Sequence, residues 1–194
     1  MKKIVLLFIL GHILVPGIAQ TDRNTPSIVP RPVEMKAGKG SFTLHPGIPL
    51  LIRGEETEIR RIAEYFIGYL PFPEGKKMQI SISAKKEKKA RAVVFEIDPK
   101  RHQIPHEGYE LKVTASAVYL TASGGAGLFR GVQTLLQLLP PEIYSSSQMP
   151  ALDKIQVPAL WINDYPRFQY RGMHLDVSRH FFPKEFIKRY IDLI

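Results

Sequence analysis

Residues 168–194 read FQYRGMHLDVSRHFFPKEFIKRYIDLI, a strand pattern, a cluster of ionisable groups and a helix start in immediate succession. Phe168, Tyr170, Met173, Leu175 and Val177 form a mostly apolar run behind the turn residue Pro166, which predicts a strand over residues 168–176. Asp176, Ser178, Arg179 and His180 then fall together at its end. Pro183 suits the first turn of a helix, where its missing N–H would have had no partner. Phe186, Ile187, Tyr190, Ile191 and Ile194 recur beyond it at helical spacing. Strand, polar end and amphipathic helix make one β/α unit. Such units build both (β/α)8 barrels and doubly wound sheets, and both folds bind ligands at the C-terminal ends of their strands. Pattern alone leaves the two open.

The same stretch resembles the first barrel strand and helix of the family 20 glycoside hydrolases, the β-N-acetylhexosaminidases, with their pattern R-G-x-x-L-D-x-x-R-H-[FY]. Arg171, Gly172, Leu175, Asp176, Arg179, His180 and Phe181 match it position by position. EGYELKV at 107–113 and GGAGLFRGVQTLLQLL at 124–139 are similar to the end of that family's N-terminal domain. The resemblance implies an α+β N-terminal domain, with a mostly antiparallel sheet and two helices, followed by the truncated start of a (β/α)8 TIM barrel. The expected organisation is a signal peptide at 1–19, the α+β domain at 24–160 and the first barrel strand and helix at 166–194.

Composition agrees with export and a folded core. The chain has 194 residues, 44% of them hydrophobic and 23% charged, an ordinary globular balance. Lys2 and Lys3 precede an apolar run from Ile4 to Ile18, and Gly17 and Ala19 place small residues where a signal peptidase reads, so cleavage is expected after Ala19. That run is too short, and too broken by Gly11, His12, Pro16 and Gly17, to predict stable membrane insertion. Its removal takes two lysines and no acids, moving the formal charge from +9 to +7. With no cysteine, the fold has neither disulfides nor a thiolate metal site nor a thiol nucleophile. The expected location is the periplasm, the cell envelope or the medium of a bacterium.

Within the expected domain, Ser41–Leu44 and Ile48–Ile52 are short strand candidates. Ile59, Ile62, Ala63, Phe66, Ile67 and Leu70 recur as one helical stripe, with Glu55, Glu56 and Glu58 at its positive end. Met78, Ile80 and Ile82 alternate with polar residues, as do Val93, Phe95 and Ile97. The Lys85–Arg91 run between them lacks interleaved aromatics, so it reads as a solvated hairpin tip and not as a nucleic-acid site. Gly108–Val113 and Val118–Ala122, joined by four residues, predict an antiparallel hairpin. Gly124, Gly125 and Gly127 do not have dinucleotide-loop spacing and are followed by no P-loop lysine; they read as a tight turn that lets a helix over Leu128–Leu139 approach the sheet. Residues 140–165, with Ser145–Ser147, Pro150 and Pro158, read as a linker, in which Trp161 packs.

Arginine suits sugar recognition, since its planar fork donates to two neighbouring hydroxyls while staying charged. The resemblance implies that Arg179 grips hydroxyls of a terminal N-acetylhexosamine. Asp176 on its own evidence suits a catalytic carboxylate, but glycoside hydrolysis needs a pair of acids and only Glu185 and Asp192 stand nearby, so it reads as orienting Arg179 or its neighbours. Asp176 also stands three residues from Arg179, so a plain ion pair is expected as well. His180 has no companion ligands nearby in sequence and reads as a hydrogen-bonded structural histidine, and Arg171 as part of the strand's own ion pairs. Cleavage in the family is substrate-assisted: the 2-acetamido oxygen attacks, an aspartate supports it and the adjacent glutamate protonates the leaving oxygen. This chain contains no Asp-Glu dipeptide and has 194 − 165 = 29 residues for a barrel that takes about 250. No catalytic residue is therefore assigned, and the chain alone is expected to be inactive. No metal or other cofactor is expected; the partner is a glycan ending in N-acetylhexosamine. The alternative reading is a non-catalytic carbohydrate- or protein-binding module.

Overall fold

A computed structural model describes residues 26–83, 91–144 and 151–193. The segment 1–19, expected to be a signal peptide, and the lysines at 85–89 lie outside these residues. The chain runs β1 (Glu34–Leu44), β2 (Leu50–Arg53), α1 (Glu56–Gly68), β3 (Ile80–Ile82), β4 (Ala92–Ile97), β5 (Tyr109–Val113), β6 (Ala117–Ala122), α2 (Gly125–Gln137), a 3-10 turn at Pro141–Tyr144, β7 (Ile155–Asp164) and α3 (Lys184–Leu193). The strands make one seven-stranded sheet in the order β1-β7-β5-β6-β4-β2-β3.

Pairing divides the sheet in two. β1–β7, β7–β5 and β5–β6 are antiparallel, whereas β6–β4, β4–β2 and β2–β3 are parallel. The sheet is thus evenly mixed, where a mostly antiparallel one was expected. The β5–β6 hairpin forms with Val113 opposite Val118, its turn closed by Thr114, whose hydroxyl accepts from the amides of Ser116 and Ala117. β3 and β4 do not form a hairpin: they lie on opposite sides of β2, each parallel to it. Parallel partners need crossovers, and α1 supplies one between β2 and β3.

The segment expected to be a linker holds β7, which is internal to the sheet. Ile155, Val157, Leu160 and Ile162 of this strand are buried. Pro158 disguises the strand because proline cannot donate to a ladder. The sheet accommodates it by a bulge in β1: pairing shifts from Ala37↔Leu160 to Ser41↔Pro158. Trp161 consequently projects from the sheet face away from the buried Leu160 and Ile162, with the Lys36 ammonium 5.1 Å from its ring centroid.

Both helices of the domain cover one sheet face. Ile59, Ala63 and Phe66 of α1 and Leu128, Val132, Leu135 and Leu136 of α2 close on Phe42, Leu44, Leu50, Ile52, Phe95, Leu111, Leu120 and Ile162, all nearly inaccessible. Gly127 sets the depth of α2, since a Cβ built there would stand 2.1 Å from the Gly108 carbonyl oxygen. Gly131 one turn on is also close, its Cβ position 2.3 Å from Leu120 Cδ1, whereas Gly124 has extended backbone and nothing within 4 Å of the Cβ position.

The final stretch behaves differently. Residues 165–183 form no strand, correcting the expectation for 168–176. A strand is stable only when its N–H and C=O groups find a neighbouring ladder, and among the described residues this segment is in none. α3 does form, its apolar stripe stacking Phe182 on Phe186 at 4.7 Å between ring centroids, but none of its described residues is buried. Phe168, Tyr170 and Phe181 are likewise largely exposed.

Candidate functional site

The polar end of the quoted stretch folds around one carboxylate. Asp176 Oδ1 accepts the backbone N–H of Ser178 at 2.9 Å and of Arg179 at 3.1 Å, while Oδ2 accepts Arg179 Nε–H. A short acid whose side chain caps amides two and three residues on is the chemistry of an Asx turn. It follows from spacing alone, so it forms without a barrel around it. These bonds, the Arg179 amide first and its guanidinium second, hold the Asp176 carboxyl below the usual aspartate range. Arg179 is oriented through Nε only, and the Nη1–Nη2 edge has no partner among the described residues. Its side chain is 85% exposed. The ion pair expected between the two is therefore formed, through Nε alone. His180 is exposed and the described residues give it no hydrogen bond, so the bonded role expected of it is not formed here.

Arg171 belongs to a second cluster that sequence reading did not assemble. Its Nη2 donates to Glu107 Oε2 at 2.5 Å, and the same oxygen takes Arg130 Nη2 at 3.0 Å. Arg171 Nη1 also donates to the Phe168 carbonyl, curling 168–171 around the guanidinium. Glu107 sits at φ 65°, the left-handed region, in the turn that opens β5. The Arg171 hydrogen bond, followed by the charges of both arginines, lowers its carboxyl below the usual glutamate range. Glu107 lies 64 residues from Arg171 and 23 from Arg130, so no local spacing signals the cluster. It was the ion pair expected of Arg171 in kind, with a partner in a different domain of the chain.

Beneath this cluster a buried polar trio ties β5, α2 and β7 together. Tyr109 OH shares a 2.6 Å bond with Thr134 Oγ1 and donates to Asp164 Oδ2 at 3.0 Å, and Asp164 Oδ1 accepts Val33 N–H at 3.0 Å. Burial pushes the Tyr109 hydroxyl far above its ordinary value. A cavity of about 490 Å³ opens beside the trio, between α2 and the chain leaving β7. Among the described residues no group of three or more His, Asp or Glu is placed to hold a metal ion, and no helix is long and apolar enough to cross a membrane.

The described residues thus comprise an α+β domain followed by a segment in which Asp176 anchors Arg179. Family comparison makes this specific. Residues 25–165 match the model described as glycosyl hydrolase family 20, domain 2, and residues 168–194 match the glycosyl hydrolase family 20 catalytic domain. The chain belongs to glycosyl hydrolase family 20. It is 33% identical over 168 residues to a beta-hexosaminidase of Porphyromonas gingivalis, a match covering 87% of this chain and 21% of the relative. The GH20 beta-N-acetylhexosaminidase from Streptomyces coelicolor superposes with a TM-score of 0.67 at 31% identity, covering 84% of this chain and 31% of that one. A Streptomyces plicatus N-acetyl-beta-hexosaminidase, solved with Thio-NAglucal, gives the same TM-score at 32% identity over 86% of this chain and 31% of its own. The chain therefore spans between a fifth and a third of the length of these relatives.

Proposed function

We propose that this chain is the N-terminal part of an exported β-N-acetylhexosaminidase, which removes terminal N-acetylhexosamine residues from glycans. The observation that carries the reading is the Asp176–Arg179 fork, placed within the segment that matches the family's catalytic domain. Arg179 is the sugar-contacting residue: its free Nη edge donates to two neighbouring hydroxyls of the terminal sugar. Asp176 holds that edge in place and balances its charge. The relatives are named for the activity, and an S. plicatus enzyme of the family was solved with GlcNAc as product. Hydrolysis proceeds with assistance from the substrate's own acetamido group and retains configuration, using an Asp-Glu pair that the residues present here do not include. The 194-residue chain alone is consequently inactive as a hydrolase. The charged leader and its small-residue exit deliver the protein across a bacterial membrane.

The test is made on the native protein from its source. Release of nitrophenol from aryl N-acetyl-β-glucosaminide and galactosaminide is measured together with the anomer first formed, by proton NMR. Activity with β-product first, abolished by Arg179→Ala in the native gene, is expected. A native protein that releases no N-acetylhexosamine, or that inverts configuration, overturns the reading.

A further inference from the structure

The outer face of α2 lacks the charge that a solvent-facing helix ordinarily carries. Arg130 is the single charged residue among the 13 of α2, and Glu107 pairs with it. The outward positions beside it hold Ala126, Phe129, Gln133 and Gln137. α1 divides its surface differently: Arg61 and Glu64 are exposed on its solvent side, while Tyr65 and Tyr69 stand on the flank next to α2. Tyr65 joins the two helices, its ring centroid 5.1 Å from that of Phe129 and 5.0 Å from that of Tyr69, and Tyr69 continues to Tyr144 at 6.1 Å. The four rings form one patch, yet each keeps 36–54% of its surface exposed. Gln133 Nε2 donates to the Tyr65 hydroxyl at 3.2 Å, so the patch is already held in shape.

Contiguous aromatic surface rimmed by charge marks an interaction site, and surfaces between domains concentrate aromatic residues while shedding charged ones. The rings are tilted by 53–55° to one another and present edges and knobs, which suit the side chains of a packed protein surface better than the flat face of a sugar. Two observations point to the occupant. The segment matching the family's catalytic domain starts on this side of the sheet, where Arg171 shares Glu107 with Arg130 of α2. The chain also covers only 21% of one relative and 31% of another, so in them a larger body follows the residues matched here. We propose that the patch is the seat of the remainder of the catalytic domain, the part that follows residue 194 in the native protein, with Tyr65 and Phe129 as its anchors. The inference rests on the reading of this chain as the N-terminal part of a longer enzyme. It gives the domain a second hold on the catalytic domain, apolar where the Glu107 contact is ionic.

The experiment labels the native protein and the 194-residue chain with hydroxyl radicals and reads each ring by peptide mass spectrometry. Tyr65 and Phe129 should be labelled in the chain and lose that labelling in the native protein, while Trp161, half-buried on the opposite sheet face, is labelled equally in both. Tyr65→Ser combined with Phe129→Ser should lower the Tm of the native protein further than that of the chain. Helix propensity and ring–ring contact are lost alike in the two, so the excess reads the seat. Equal labelling or equal Tm losses overturn the proposal and leave the enzyme reading standing, whereas a native protein no longer than this chain overturns both. Protection that grows with concentration as the native protein dimerises assigns the patch to a second copy and also overturns it.

Discussion

Gly127→Ala sets two ordinary expectations against each other. Alanine is the better helix former by up to about 1 kcal/mol, so by propensity alone α2 gains. The structure decides otherwise, because the new Cβ stands 2.1 Å from the Gly108 oxygen, 3.0 Å from its carbonyl carbon and 3.1 Å from the Glu107 carbonyl carbon. A comfortable C···O contact is about 3.3 Å, so helix and strand must separate by roughly 1.2 Å. The obstacle is backbone and cannot rotate away: Gly108 N–H is tied to Pro105 O at 2.8 Å, and Glu107 holds a left-handed conformation. Lifting α2 loosens the packing of Leu128, Val132 and Tyr109, all within 1% of full burial. Because the obstacle is backbone, the cost falls in the upper part of the overpacking range, about 2–3 kcal/mol, and after a propensity gain of about 1 kcal/mol we expect a net loss of about 1–2 kcal/mol. In a chain of 194 residues that lowers Tm by about 2–8 °C, read by circular dichroism, with a matching fall in urea midpoint at unchanged m. Gly125→Ala is the control. Its Cβ meets only the Glu58 carboxylate, the far end of a flexible side chain, so its effect stays within about 0.5 kcal/mol. A Gly127→Ala protein as stable as the parent refutes the close-approach account of this glycine.

Three further outcomes follow from the site. Exchanging charges at the Glu107 latch separates interaction from fold: Glu107→Arg and Arg171→Glu should each speed tryptic cleavage near Arg167, and the double exchange should restore protection in part, since it re-forms the 107–171 pair but sets the new guanidinium at 107 beside that of Arg130; a double exchange no better protected than Glu107→Arg removes the latch. Tyr109→Phe should cost about 1–2 kcal/mol in urea denaturation, because Thr134 and Asp164 each lose a buried partner, and a neutral result shows the trio to be dispensable. The Asp176 carboxyl lies below its ordinary value of 3.8 in the fold, so the fork's local order is complete above that pH and is lost as pH falls through the lowered value. NMR of the Arg179 Nε–H should show it holding as exposed carboxylates protonate; loss at a higher pH than theirs contradicts the geometry.

Local signals were legible wherever their cause was local. The α1 stripe from Ile59 to Leu70, the four-residue β5–β6 link and the Asp176-x-x-Arg179 turn depend on spacing along the chain, and each forms. Pro158 misled because its tolerance depends on a bulge in β1, some 120 residues earlier in the chain, as the pairing of Ser41 with Pro158 shows. The tail misled in the opposite sense: residues 168–176 have a strand's composition, yet among the described residues no ladder accepts their hydrogen bonds.

The sequence by itself determined the family, through Arg171, Gly172, Leu175, Asp176, Arg179 and His180 at fixed intervals, and the two domain helices, through periodicity. It also placed the Asp176–Arg179 fork, because a side chain two or three residues from its partner needs no fold to find it. Only the tertiary structure decided the strand order, the burial of β7 inside the sheet, the Glu107 latch and the aromatic patch across α1 and α2. Each joins residues distant along the chain, brought together when α2 seats on Gly108 and β7 pairs between β1 and β5. Sequence spacing carries no record of such meetings, since what selects them is the burial of a shared core and not the order of residues on either side.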